Sequence, residues 1–251
     1  MSKKIELFMS IALLCCAVFL ARESAIFVRS LQTSHSDSSG PLLQTEHLDS
    51  TESSESSPFC IVIDAGHGGV DPGKVGVDNV LEKDINLSIA LLLKDALEKE
   101  GITIALTREE DVDLSEGASN FKSADMKNRC KLITDAAPIF TISIHQNSYP
   151  SANVTGAQVF YYTESEEGKS LATILQNSLI KNVDPSNRRQ PKANDSYYLL
   201  KKTPTPTVIV ECGFLSSPVE TALLCTEEYQ RKIVNAIRLG VLEYLEANDY
   251  L

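Results

Sequence analysis

Two histidines in the second part of the chain stand where chemistry is expected. His67 follows the apolar segment FCIVIDAG at residues 59–66, and His145 follows the apolar segment IFTISI at residues 139–144. Such runs are typical of parallel strands that are buried on both faces, and open α/β sheets bind ligands beyond the carboxyl ends of their strands. Two imidazoles at one sheet edge, with acidic residues in similar places, predict a metal site.

A catalytic zinc ion is typically held by three protein ligands, and two histidines with one carboxylate are a common set. His67 and His145 supply the imidazoles in this interpretation. Glu82 is the best candidate for the carboxylate, because it opens the helix predicted after the first strand. Asp64 and Asp71 compete with it, although Asp64 could brace the loop and Asp71 begins a turn-forming Asp-Pro-Gly sequence. Spacing alone does not decide among the three acids.

Glu211 is the candidate for proton transfer. It follows the short apolar run VIV at residues 208–210 and precedes CGF. A carboxylate at the end of a buried strand is costly unless it is paired or used. At this position it could accept a proton from zinc-bound water and return it to a leaving amine.

Each of these residues also has a structural interpretation. A histidine after a buried strand is often only hydrogen-bonded, and the GHGG loop at residues 66–69 could be a tight turn or a phosphate-binding loop. The glycine spacing matches no nucleotide-binding motif. Glu82 could interact only with a helix dipole, and Glu211 could belong to a buried salt bridge. The functional interpretation depends on the combination, because all four residues map to one edge of one sheet.

The elements that position these residues alternate between strand and helix from residue 59 onward. This order predicts a single α/β domain with a mostly parallel or mixed central sheet and helices on both faces. We expect strands at 59–64, 102–107, 139–144, 156–162 (nearer an edge) and 208–210. We expect helices at 84–100, 124–137, 166–181 and 226–247. A further helix is expected to begin after Ser217, as its N-cap, with Glu220 completing a capping box. Residues 182–207 are predicted to be mostly loop.

The residues before the domain read as an export segment and a tether. Lys3 and Lys4 precede an apolar run at residues 7–21, which is the layout of a secretory signal. We therefore expect residues 1–29 to be a signal peptide or an uncleaved signal anchor, which would attach the protein to the membrane. Residues 30–58 are serine-rich with little apolar surface, which predicts a disordered linker. Residues 59–251 form the catalytic domain in this scheme, exported to the periplasm, cell envelope or exterior.

Charge and pattern restrict the partners. The 251 residues carry a formal net charge of −11, whereas proteins that bind nucleic acids usually present a basic face. We therefore expect no nucleic-acid partner. The chain has no heptad pattern or large apolar stripe, so a monomer is the default expectation.

Four ordered motifs resemble the zinc-dependent N-acetylmuramoyl-L-alanine amidases of bacterial cell walls, over about residues 59–247. The matching segments are IDAGHGG and DPG within 63–73, LEKDINL at 81–87, SIHQNS at 143–148 and VECGFLS at 210–216, together with Arg108 and Arg129. The resemblance implies an enzyme that cleaves the amide bond between N-acetylmuramic acid and L-alanine of the peptidoglycan stem peptide.

The resemblance also implies roles for individual residues. His67, Glu82 and His145 would bind one Zn²⁺ ion, so the resemblance favours Glu82 over the two aspartates as the third ligand. Glu211 would be the catalytic acid/base that works with zinc-activated water. Asn147, Asp71 and Arg129 are further candidates for contact with the substrate.

Two competing hypotheses are a peptidase acting within the stem peptide and an inactive wall-binding module. The complete ligand set argues against the second.

Overall fold

The computed structural model describes residues 59–251, so the expectations for residues 1–29 and 30–58 lie outside the described part of the chain. The strands are β1 (Cys60–Ala65), β2 (Thr103–Leu106), β3 (Phe140–Asn147), β4 (Gln158–Tyr162), β5 (Lys192–Asn194) and β6 (Thr207–Phe214). The α-helices are α1 (Glu82–Glu98), α2 (Phe121–Ala136), α3 (Glu166–Asn182), α4 (Tyr198–Lys202), α5 (Pro218–Leu224) and α6 (Glu227–Ala247).

The strands form one sheet in the order β2-β1-β3-β6-β4-β5. Neighbouring strands run parallel, except that β4 is antiparallel to β6. The sheet is therefore mixed, and the predicted α/β fold is confirmed. The strand predicted to lie nearer an edge, β4, is next to the edge strand β5.

Helices cover both faces of the sheet. α1, α3 and α6 pack on one face, and α2 and α4 pack on the other. On the inner side of α1, Ile85, Ile89, Leu93 and Leu97 recur every four residues and are buried, as expected of an amphipathic helix. The larger core lies on this face, whereas a smaller cluster that includes Val62, Ile133 and Leu199 lies under α2 and α4. Among the described residues, no helix combines the length and the apolar character needed to cross a membrane.

The structure corrects the extent of several predicted elements. β3 continues to Asn147 and β6 continues to Phe214, so His145 and Glu211 lie within strands and not just beyond them. The predicted loop at 182–207 contains β5 and α4, which are too short to produce a recognisable periodicity. Helix α2 begins at Phe121, three residues earlier than predicted.

The capping box predicted at the start of α5 is only half formed. Ser217 is the N-cap, and its side chain accepts a hydrogen bond from the backbone of Glu220. The Glu220 carboxylate does not return to Ser217; it accepts hydrogen bonds from the backbone N–H groups of Gly156 and Phe214. The glutamate therefore ties α5 to the end of β6 and to the segment before β4.

Candidate metal centre

His67, Glu82 and His145 meet at the carboxyl edge of the sheet. β1 and β3 are parallel, and Ala65 is paired with Ile144, so the residues that follow emerge side by side. One ligand atom from each of the three side chains lies within 4.8 Å of the others. Nε2 of His67 is 3.3 Å from Oε2 of Glu82, and Nδ1 of His145 is 2.9 Å from Oε1 of the same carboxylate.

The 3.3 Å separation is close to the spacing around one small cation, whereas the 2.9 Å separation is that of a hydrogen bond. With metal–ligand bonds of about 2.0–2.1 Å, two ligands of a tetrahedral zinc ion stand roughly 3.4 Å apart. Two imidazole nitrogens and one carboxylate are also donors that zinc accepts readily. The donor set of this chain therefore fits the metal expected from the sequence.

The loop that carries His67 is held in a specific conformation. His67 has a φ of 62° and Gly68 has a φ of 137°, values that are unfavourable for most side chains but available to glycine. Gly68 and Asp71 exchange backbone hydrogen bonds across the loop. Nδ1 of His67 is 2.8 Å from Oδ2 of Asp71, so the opposite nitrogen, Nε2, is directed at Glu82.

Gly73 allows the loop to approach the centre closely. A Cβ atom at this position would lie 2.6 Å from Oε2 of Glu82 and 2.7 Å from Cδ2 of His67. Gly73 also has a φ of 66°. Both the close contact and the backbone conformation therefore require glycine, which explains the glycine of the Asp-Pro-Gly sequence.

The charges at the centre favour a bound cation. Burial raises the pKa of Glu82, but hydrogen bonds and charge interactions with His145 and His67 outweigh it and hold that pKa well below its usual range. Burial lowers the pKa of His67, but Glu82 and Asp71 outweigh it and raise the pKa to about 9. Glu82 is therefore ionised at neutral pH, which is the form that binds metal, whereas His67 must release its proton when an ion binds. The Glu82 carboxylate is further held by the backbone N–H groups of Lys74 and Gln146.

Glu211 lies beside this centre and is not paired. It is directly opposite His145 in the β3–β6 register, and both residues line one cavity of about 390 Å³ with His67 and Glu82. Its Oε2 atom is buried without a hydrogen-bond partner among the described residues. Burial raises the pKa of Glu211 to about 7, an effect that nearby His145 only partly offsets. A carboxyl group with a pKa near neutrality can both take up and release a proton.

Asp64 takes part in a buried network and not in the metal cluster. Its Oδ1 atom accepts hydrogen bonds from Thr107 and Arg129, and its Oδ2 atom accepts one from Ser143. Burial raises the pKa of Asp64, but Arg129 and the two hydroxyl groups outweigh it and lower the pKa to about 2. Asp64 supports the loop that carries His67 only indirectly, because it binds Arg129, which in turn donates to the carbonyl oxygen of His67.

Arg129 is a loop anchor in this structure. It is 1% exposed and donates to Asp64, to Asp125 and to the carbonyl oxygens of Ala65 and His67. These bonds use all five guanidinium N–H groups. Arg129 also lines the cavity, so its contact with the substrate stays a prediction, and its bond to the His67 carbonyl oxygen holds the loop.

The other two substrate-contact candidates stay predictions. Oδ1 of Asn147 accepts a hydrogen bond from the backbone of the next residue, Ser148, and Asn147 does not line the cavity. Asp71 does line the cavity, but its carboxylate contacts His67 and Lys122.

Several residues around the centre were not singled out from the sequence. The Lys83 ammonium donates to the carbonyl oxygen of Gly69 and pairs with Asp111. Tyr197 and Tyr198, at the start of α4, contribute a cavity wall. Lys83 lies inside a motif but gives no separate signal, and the tyrosines lie in the segment predicted as loop. Arg108, which entered only through the resemblance, donates to the carbonyl oxygens of Ala65, Gly66 and Lys83.

The chain belongs to the N-acetylmuramoyl-L-alanine amidase family, whose sequence pattern matches residues 61–243. It is 38% identical to the germination-specific N-acetylmuramoyl-L-alanine amidase of Bacillus subtilis over 188 residues, which cover 73% of this chain and 78% of the relative. The fold is similar to the CwlD amidase of Clostridioides difficile, solved in complex with the GerS lipoprotein, with a TM-score of 0.73, 39% identity and coverage of 75% of this chain and 99% of that one.

A second solved structure extends the comparison. The AmiC2 amidase of Nostoc punctiforme has a TM-score of 0.66 and 31% identity, with coverage of 75% of this chain and 97% of that one. The family resemblance and the amidase function predicted from the motifs are therefore confirmed: the chain is a peptidoglycan hydrolase of the N-acetylmuramoyl-L-alanine amidase type.

Proposed function

We propose that this chain cleaves the bond between N-acetylmuramic acid and L-alanine with one zinc ion held by His67, Glu82 and His145, and with Glu211 as the general acid/base. The observation that carries the proposal is that two imidazoles and an ionised carboxylate converge beside a buried, unpaired carboxylate in a single cavity. When bound, the zinc ion would act as a Lewis acid on the substrate carbonyl and lower the pKa of water.

The protein side chains have separate tasks in this reaction. Glu211, in its ionised form, accepts the proton of the attacking water, and the protonated carboxyl group then gives that proton to the departing amine of L-alanine. In the metal-free protein burial raises its pKa to about 7, so the carboxyl group can hold a proton near neutral pH as well as accept one. Asp71 keeps Nε2 of His67 directed at the centre, and Arg129 fixes the carbonyl oxygen of the same residue.

The experiment that tests this function is the analysis of digested peptidoglycan by mass spectrometry. We expect intact stem peptides that begin with L-alanine, no activity after treatment with a chelator, and recovery when zinc is added. Fragments cut within the stem peptide would support the peptidase hypothesis instead. The absence of any product from the zinc-loaded protein would favour an inactive wall-binding module.

We propose further that the protein is exported, remains at the cell envelope and acts as a monomer. Its wall substrate and the cell-wall enzymes among its relatives support the location. Fractionation of cells that carry the full chain, with and without residues 1–29, tests the location and any membrane attachment, and sedimentation tests the monomer. The C. difficile complex also suggests a lipoprotein partner, and co-purification from cells tests it.

A further inference from the structure

One positively charged side chain of the cavity has hydrogen-bonding capacity that the protein does not use. Lys122, the second residue of α2, lines the cavity, and its side chain is 68% exposed. Its Nζ atom lies 3.4 Å from Oδ1 of Asp71 and 6.0 Å from the centroid of the Phe121 ring. An ammonium group has three N–H donors, so a single long contact with Asp71 leaves donors for a ligand.

The other permanent cation that lines this cavity among the described residues is Arg129. All of its donors are directed at protein oxygens, and the side chain is buried. Lys122 is therefore the cation from which an entering molecule can receive hydrogen bonds.

The rest of the cavity is predominantly acidic. Its lining includes five carboxylate residues, namely Asp64, Asp71, Glu82, Asp125 and Glu211. Asp64 and Asp125 are paired with Arg129, and Glu82 would be neutralised by the metal ion. Asp71 and Glu211 are therefore the carboxylates that repel a substrate with carboxylates of its own. Lys122 offsets this repulsion at one place, next to the amino-terminal end of α2, where the helix dipole also favours negative charge.

We propose that Lys122 binds a free carboxylate of the stem peptide and thereby selects muramoyl peptides in which the residue after L-alanine keeps its carboxyl group. The inference rests on the proposed function, because it concerns the peptide part of the same substrate. Lys122 is a specificity residue in this view: it holds the substrate by charge and takes no part in proton transfer. The lysine stem is flexible and exposed, so the ammonium can follow the carboxylate without rearrangement of α2.

The test uses two muramoyl peptides of equal length that differ at one group. One carries a free α-carboxylate on the glutamate after L-alanine, and the other carries a carboxamide at that place. For the zinc-loaded wild-type protein at low ionic strength, we expect KM to be about fivefold lower for the carboxylate substrate, the scale of a partly exposed charged contact. Lys122→Gln should remove this preference, Lys122→Arg should retain it, and kcat should change by less than about twofold.

A control variant and two contrary outcomes show whether the preference depends on Lys122 itself. Lys127 lies on the same helix and is exposed, so Lys127→Gln makes the same change in net charge and should keep the wild-type preference. If Lys122→Gln lowers activity equally on both substrates, Lys122 acts only through Asp71 and the inference is wrong. If Lys127→Gln also removes the preference, the effect belongs to overall charge and the inference is again wrong. Failure of the wild-type protein to cleave either substrate would instead contradict the proposed function.

Discussion

The Oδ2 atom of Asp71 lies 2.8 Å from Nδ1 of His67, on the side of the imidazole that faces away from Glu82. A carboxylate in this position fixes the proton on Nδ1 and leaves the Nε2 lone pair for a metal ion. Asp71 also closes the loop through its backbone hydrogen bonds with Gly68, next to His67, whose φ is positive.

Replacing Asp71 should therefore weaken metal binding without removing a ligand. We expect Asp71→Asn to raise the Kd for zinc by about 10- to 100-fold, because the amide no longer stabilises the correct imidazole tautomer as strongly. Competition with a chromophoric chelator measures this affinity. Asp84→Asn, the same change at an exposed acid of α1, should bind zinc like the wild type. Equal affinities for the Asp71→Asn variant and the wild-type protein would show that Asp71 does not position His67.

Glu211 should be required for turnover and dispensable for the metal. Glu211→Gln removes the proton acceptor but keeps the shape of the side chain, so we expect kcat to fall by about 10²- to 10⁴-fold while zinc content is unchanged. Parallel assays of peptide release and zinc content check both parts. Glu220→Gln is the matched change at a buried glutamate that bonds to backbone N–H groups; it should lower stability but retain most activity. Substantial turnover by the Glu211→Gln variant would refute the assigned role.

Gly73 should be needed for the metal centre beyond its effect on folding. In Gly73→Ala the new methyl group would clash with Glu82 and His67, so we expect zinc affinity and activity to be largely lost. Gly101→Ala is a close control, because Gly101 also has a positive φ, of 79°, but no atom lies within 4 Å of the added Cβ. It should cost only about 1 kcal/mol of stability and leave zinc binding intact. Similar behaviour of the two variants would mean that backbone strain, and not the contact with the ligands, determines the result.

Asp64 should contribute stability that is present at neutral pH and lost at low pH. Its pKa is about 2 in the folded protein against an ordinary value of 3.8, so the unfolded chain takes up the proton first as the pH falls. The difference corresponds to about 2 kcal/mol of stability, present above about pH 4 and lost as the pH approaches 2. Urea unfolding of the metal-free protein at several pH values measures it.

The Asp64→Asn variant should lack this acid-dependent loss. We also expect it to be about 3 kcal/mol less stable at neutral pH, because Arg129 stays buried with only part of its compensating charge. The control is Asp135→Asn. It removes the exposed partner of Lys131 on α2, the helix that carries Arg129, and should change stability by less than about 0.5 kcal/mol. If the difference in the free energy of unfolding between Asp64→Asn and the wild type stays constant between pH 7 and pH 2, the ion pair does not shift the titration of Asp64.

The sequence predicts the centre well where a residue follows a long apolar strand. His67 and His145 could be placed at one edge because β1 and β3 are parallel and strongly apolar. Glu82 could not be separated from Asp64 and Asp71 by spacing, since Asp64 is taken up by Arg129 of α2 and Asp71 by Nδ1 of His67, which are contacts distant in sequence or set by the loop conformation. The resemblance to a family supplied that choice, and the structure brings Glu82 to the two histidines.

Long-range contacts account for the rest. The loop anchors Lys83 and Arg108 act through backbone carbonyl oxygens, which leave no pattern in side-chain types. The tyrosine wall of the cavity comes from α4, a helix of five residues, which is too short to show a helical period. The full length of β6 was also missed because its last residues, from Glu211 to Phe214, are less apolar than the run before them but are buried by neighbouring elements.

The most direct test of the central claim is anomalous diffraction at the zinc absorption edge from crystals of the purified, zinc-loaded protein. We expect one strong peak per chain, from an ion coordinated by Nε2 of His67, a carboxylate oxygen of Glu82 and a ring nitrogen of His145, with Glu211 beside the ion but outside its ligand set. A peak at other residues, or crystals that contain no zinc at this centre under conditions in which the enzyme is active, would contradict this claim.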